Sequence, residues 1–73
     1  MAYNVKAKEL KQPTSDEIKE VRLKTGLTQQ QAAESVYRAD GARWREWEGG
    51  KYRIDLAVWE LFLIKSGLRR IDE

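Results

Sequence analysis

The sequence predicts an all-α fold, a compact bundle of four to five helices. Three observations carry this. Thr14-x-x-Glu17 and Thr28-x-x-Gln31 are capping boxes, in which a threonine hydroxyl and a longer polar side chain satisfy the free amides that open a helix. Glycines stand where such helices should stop, at Gly26, Gly49-Gly50 and Gly67. Leu56 to Ile64 is apolar nearly all round, as in a helix buried on more than one side.

Composition narrows the class further. A chain of 73 residues has room for one domain and one modest core. Hydrophobic residues at 41% and charged ones at 36% suit a globular, helix-rich protein rather than a disordered one. There is no cysteine and no histidine, which removes disulfides, thiolate zinc sites and the commonest general acid/base. No metal or cofactor is expected. An enzyme would have to work with carboxylates, lysines or tyrosines, and no pair of these falls in a cleft-forming pattern, so none is expected. The net charge of +2, from 14 basic and 12 acidic residues, is too small to imply a nucleic-acid partner by itself. What matters is where the charges fall. No apolar run approaches the roughly 20 residues that span a bilayer, and the start lacks the apolar core of a signal peptide. A cytoplasmic protein with no membrane partner is the expectation.

In chain order, residues 1–12 form a basic N-terminal arm. The alternation Tyr3-x-Val5-x-Ala7 fits either a short strand, paired with its twin in a dimer, or a loosely docked arm. Lys6, Lys8 and Lys11 are candidates for a phosphate or a minor groove. The domain proper spans 13–67. Pro13 to Glu17 starts the first helix, with Asp16 and Glu17 at the positive end of its dipole. Ile18, Val21 and Leu23 are assigned to its inner side; Lys19, Glu20, Arg22 and Lys24 to its solvated side. Leu27 anchors the link to the second helix, where Ala32, Ala33 and Val36 make a small-residue face that another helix can approach closely.

Asp40-Gly41 is a turn or N-cap signal, and Arg43-Trp44-Arg45-Glu46-Trp47-Glu48 follows. Trp44 and Trp47 share a helical face, which leaves Ala42, Arg45 and Glu46 pointing away and Arg43 on the flank. A helix pinned by two indoles and showing guanidinium groups to solvent suits a DNA major groove. Gly49 to Arg53 is a loop. Asp55 caps a last helix running to about Ser66, and residues 68–73 are a short tail. A domain this small needs only one face of that last helix inside. The second burial surface is most simply another subunit, with Trp59, Phe62 and Leu63 as candidate dimer contacts.

These segments together resemble a family, the Cro and phage-repressor type of helix-turn-helix regulators, also named after the xenobiotic response element. The matching residues run from DEIKEVRLKTGLTQQQAAESV through W-x-x-W-E-x-G to AVWELFLIKSG, roughly residues 14–67. The combination of LTQQQAA, WREWEGG and AVWELFLIK is most similar to very small members from phages and mobile elements, some of them anti-CRISPR-associated repressors of their own operons. The resemblance implies a lambda-repressor-like bundle with a helix-turn-helix, acting in transcription regulation as a homodimeric repressor on inverted-repeat operators. It implies a phosphate contact at Gln29, base contacts from Ala42, Arg43, Arg45 and Glu46, and backbone contacts from Lys51, Tyr52 and Arg53. Between Val36 and Trp44 this chain carries one residue more than the family's spacing. That leaves open which of Arg38, Asp40, Ala42 and Arg43 reaches the bases.

Chemistry ranks these candidates. Arginine donates to guanine O6 and N7 together, so Arg43 and Arg45 come first. Glu46 can accept from cytosine N4 or simply orient Arg43. Gln29 and Gln30 sit where helix 2 offers free amides to a phosphate, and Lys51 and Arg53 would add affinity without sequence preference. The plain alternative for the arginines is solvated charge laced with Glu46 and Glu48. Base stacking is the alternative for the tryptophans, but their spacing favours core packing. Tyr37 and Tyr52 stay open. Gly49-Gly50 follows no strand, so it is no phosphate-cradling loop. A second function class is an antitoxin-like or other protein-interaction module that uses the apolar last helix on a different chain.

Overall fold

Each helix begins where the sequence supplies a way to satisfy its first amides. The computed structural model describes residues 10–69, which form α1 (Ser15–Thr25), α2 (Gln29–Ser35), α3 (Ala42–Glu48) and α4 (Leu56–Lys65), with no strand among them. Thr14 Oγ1 accepts from Glu17 N at 3.1 Å while Thr14 N donates to Glu17 Oε1 at 2.8 Å. Thr28 and Gln31 repeat the exchange at 3.0 and 2.9 Å. Asp55 Oδ1 accepts from Ala57 N to open α4. α3 lacks a side-chain bond from its capping residue, Gly41, but Asp40 Oδ1 accepts from Ala42 N at 2.9 Å. The all-α expectation holds, with four helices described. The alternating stretch Tyr3 to Ala7, with Lys6 and Lys8, lies outside the described residues, as do positions 70–73 of the tail.

Every helix contributes to a single core. Ile18 of α1, Ala32 and Ala33 of α2, Trp44 and Trp47 of α3, and Trp59 and Phe62 of α4 are buried, joined by Val36 and Ile54. Trp44 is its centre, with ring centroids 5.4 Å from Trp47 and 4.9 Å from Phe62; Phe62 in turn stacks on Trp59 at 5.8 Å. Four aromatic residues at about 150–250 Å² each carry most of the apolar burial that so short a chain can assemble. Leu10 also packs against this core, and Gln12 donates to the carbonyl of Ile54, so the end of the N-terminal arm is docked.

Two assignments are corrected. On α1, Arg22 is buried and Leu23 is 58% exposed, the reverse of the expectation. Ile18 and Arg22 are four residues apart and lie one above the other, whereas Leu23 lies about 140° further round from Ile18. Apolarity assigned Leu23 inward; helix periodicity, with a carboxylate waiting inside for Arg22, overrides it. On α4, Trp59 and Phe62 belong to this chain's own core rather than to a contact between subunits, with exposures of 4% and 0%. α2 and α3 have only seven residues each, so α4 must supply a wide apolar face from within the chain. Val58, Leu61 and Leu63 lean on the same core, half-buried. No described helix is long and apolar enough to cross a membrane.

Candidate nucleic-acid interface

The surface of interest is the outer side of α3, and its inner side ties the helix to α1 and α2. Glu48 ends α3 facing α1. Its Oε2 accepts from Arg22 Nε at 2.5 Å and from Trp44 Nε1 at 2.6 Å; its Oε1 accepts from Gln29 Nε2 at 3.0 Å and Arg22 NH2 at 3.2 Å. Arg22 NH1 donates to the carbonyl of Leu27. One carboxylate thus ties α1, α2 and α3 together, with both oxygens fully used. Burial alone would raise the Glu48 carboxyl. The bonds from Arg22, Gln29 and Trp44, together with the Arg22 charge, outweigh it and hold the group below the ordinary glutamate value.

At about 100° per residue, the exposed arc of α3 carries Arg45, Ala42, Glu46 and Arg43 in that order. At one edge, Arg45 lies against Gly41 and the start of α2. A Cβ at position 41 would stand 3.1 Å from Arg45 NH1 and 3.2 Å from Gln30 N, so this close approach favours glycine. Gln30 fixes the junction, accepting from Gly41 N at 3.0 Å and donating to Glu34. At the other edge, Arg43 stacks over the Tyr52 ring at 4.9 Å. Glu46 stands between, 3.6 Å from Arg43 and 3.7 Å from Lys51. Arg45 forms no ion pair among the described residues.

Beyond the Arg43 edge lies a depression of about 380 Å³, lined by Arg38, Arg43, Trp47, Tyr52, Arg53 and Asp55. A second, of about 480 Å³, shares Trp47, Tyr52 and Arg53 but faces the first turn of α1 and adds Lys51 as its only further cation.

The connection between α2 and α3 begins at Tyr37, the only non-glycine described residue with positive φ, at 66°. Tyr37 N donates to Glu34 O and Arg38 N to Ala33 O, which closes α2 through a left-handed residue. The Tyr37 hydroxyl accepts from Lys65 Nζ at 2.8 Å, and that hydrogen bond, followed by the ammonium charge, lowers the phenol below its ordinary value. Arg38 to Asp40 then run exposed, carrying Arg38 round to the Arg43 side.

The expected site residues therefore divide. Arg45 and Gln30 meet Gly41 at one edge of α3; Arg43, Lys51, Tyr52, Arg53 and Arg38 gather at the other. Ala42 and Glu46 lie between them, and Asp40 is occupied with Ala42 N. Gln29, the expected phosphate contact, has its amide turned inward to Glu48. Sequence reasoning missed the Arg22–Glu48 pair. Its only trace was spacing: Arg22 stands four residues after Ile18, and Glu48 four after Trp44. Comparison with protein-family models, curated proteins and solved structures gives no significant match to this chain.

Proposed function

We propose that this chain is a sequence-specific double-stranded-DNA-binding regulator, a repressor that presents the outer face of α3 to a major groove. The observation that carries the reading is the row Arg45, Ala42, Glu46, Arg43, exposed but for a half-buried Glu46, on a helix whose other side is fixed by Trp44, Trp47 and Glu48. A single helix fits a groove about 12 Å wide, and a helix held by its inner face carries its side chains in without reorganising. Ala42, small and central in the row, lets the backbone come near base edges and offers a methyl to thymine. Arg45 is the base reader with no competing ion pair.

Action as a homodimer on an inverted repeat completes the proposal and rests on the resemblance described above. Leu63 of the proposed dimer contacts is the one still half-exposed. The interaction-module reading drew on the apolarity of α4, of which Trp59 and Phe62 lie within the chain's own core.

Selection of bound sequences from a random duplex pool tests the whole reading. The expected outcome is enrichment of a sequence with two-fold symmetry, bound by two chains. A pool that stays random through repeated rounds, or protein that binds no duplex at any salt, overturns it.

A further inference from the structure

We propose that Arg38, Arg43 and Arg53 form one phosphate-binding depression, so that Arg43 grips the nucleic-acid backbone rather than reading a base. The inference rests on the DNA-binding reading for the source of the phosphate, but the anion site itself rests on geometry. The three arginines come from three places: the α2–α3 connection, the first turn of α3 and the α3–α4 loop. They converge on a single depression of about 380 Å³ with Asp55 as its only acid. Like charges gathered in one hollow repel unless an anion joins them. Neither Arg38 nor Arg53 forms an ion pair among the described residues, and Arg43 has only the loose 3.6 Å approach to Glu46.

The surroundings favour an oxyanion over a carboxylate side chain of this protein. Tyr52 lies under the Arg43 guanidinium at 4.9 Å, an aromatic face that braces the cation beside the depression. Trp47, buried in the core, is the depression's other aromatic wall. A guanidinium fork matches two phosphate oxygens at once, and three forks around one hollow suit a tetrahedral group better than a planar one. The neighbouring hollow by α1 shares Arg53 but adds only Lys51, so it lacks this convergence.

This placement divides the labour on α3. Arg43 and Arg45 are separated by about 160° across the exposed arc of the helix. With Arg43 turned toward the loop cluster, Arg45 is left as the arginine that meets base edges. Two guanidinium groups of the same helix thus serve affinity and specificity separately.

Two measurements on the full chain test this. In the first, inorganic phosphate is titrated while the arginine Nε–H resonances are followed. The Arg38, Arg43 and Arg53 signals should move together with one saturation curve, while those of Arg45 and Arg22 stay still. Equal drift of all arginines, or no movement, overturns the anion site.

In the second, Arg38→Ala, Arg43→Ala and Arg53→Ala are compared with Arg45→Ala on the selected sequence and on a mixed-sequence duplex over a range of salt. Each of the first three should weaken both duplexes by the same factor and lower the salt slope by about one. Loss by Arg43→Ala on the selected sequence alone makes Arg43 a base reader and overturns the assignment. If phosphate moves the three signals together while wild-type protein binds no duplex, the DNA reading fails and the anion site stands, so the two failures are told apart.

Discussion

Glu46 and Glu48 stand two residues apart on α3, each beside an arginine, and the two pairs differ in almost every physical respect. Arg22–Glu48 is buried, bidentate and closed by Gln29, Trp44 and Leu27; its side chains are 10% and 5% exposed. Arg43–Glu46 is open to water, loose at 3.6 Å, and shared with Lys51. The first pair is architecture and the second is surface. The lesson is that residue identity says little about the role of a charge on a seven-residue helix; the side of the helix decides.

The largest effect expected from that contrast is on stability. Arg22→Ala leaves a buried carboxylate short of its charge partner, and Glu48→Ala leaves a buried guanidinium. Either change should cost about 3–5 kcal/mol, a large share of what a domain this small can have. Glu46→Ala should stay within about 0.5 kcal/mol. Urea unfolding of the three variants measures the difference directly. Equal midpoints for Glu46→Ala and Glu48→Ala would erase the distinction.

Acid should weaken the fold through the buried pair. The Glu48 carboxyl is held lower in the folded chain than in the unfolded one. Its contribution is therefore fully present above the unfolded value and is lost as pH falls through the lower, folded value. Melting temperature should hold near neutral pH and decline below about pH 4.3, where ordinary glutamates titrate. In Glu48→Gln that decline should be shallower. A decline of unchanged steepness in this variant would place the acid sensitivity elsewhere.

Arg45→Ala takes the contrast into binding. The side chain is exposed and unpaired among the described residues, so the melting temperature should scarcely change. Affinity for the selected sequence should fall by the equivalent of about 1–3 kcal/mol, while affinity for a mixed-sequence duplex falls much less. Competition binding gives both numbers in one experiment, and an equal loss on both duplexes would make Arg45 a backbone contact.

The fold was legible where local chemistry decides. Both capping boxes, the glycine stops, the Asp55 cap and the inward turn of Trp44 and Trp47 follow from spacing that the sequence displays. What could not be read depends on partners far along the chain. Arg22 is inside because Glu48, 26 residues away, is there to meet it. Trp59 and Phe62 were assigned to another subunit because the shortness of α2 and α3, which draws them into the core, is a tertiary fact. Of the candidate interface, the residues on α3 were legible from helical period, but their division into two edges was not. It depends on the path of the α2–α3 connection.

That path turns on Tyr37, whose positive φ is the most unusual backbone feature described. A left-handed conformation crowds the Cβ of any L residue and is where glycine or asparagine normally ends a helix. Tyr37→Gly should relieve that strain and raise the melting temperature by a few degrees, less whatever the Lys65 contact contributes. Lys65→Ala isolates the second part, and it should lower stability only slightly because the pair is exposed. A Tyr37→Gly variant that melts lower than wild type would mean that the phenol–ammonium contact, with Lys65 Nζ 4.0 Å from the ring centroid, outweighs the strain.

The smallest effect belongs to the open pair itself. A double-mutant cycle on Arg43 and Glu46 should give a coupling of only about 0.3–0.5 kcal/mol, as for other exposed pairs one turn apart. That weakness matters for the proposed site. A guanidinium held firmly by its own glutamate would have to break that bond before gripping a phosphate, and each partner would lose affinity for the other. With a coupling this small, Glu46→Ala should leave stability nearly untouched and release Arg43 toward the depression, tightening binding to mixed-sequence duplex at low salt. If Glu46 instead accepts from a cytosine, the same change should loosen binding at the selected sequence. One variant measured on two duplexes thus separates an orienting role for Glu46 from a reading role.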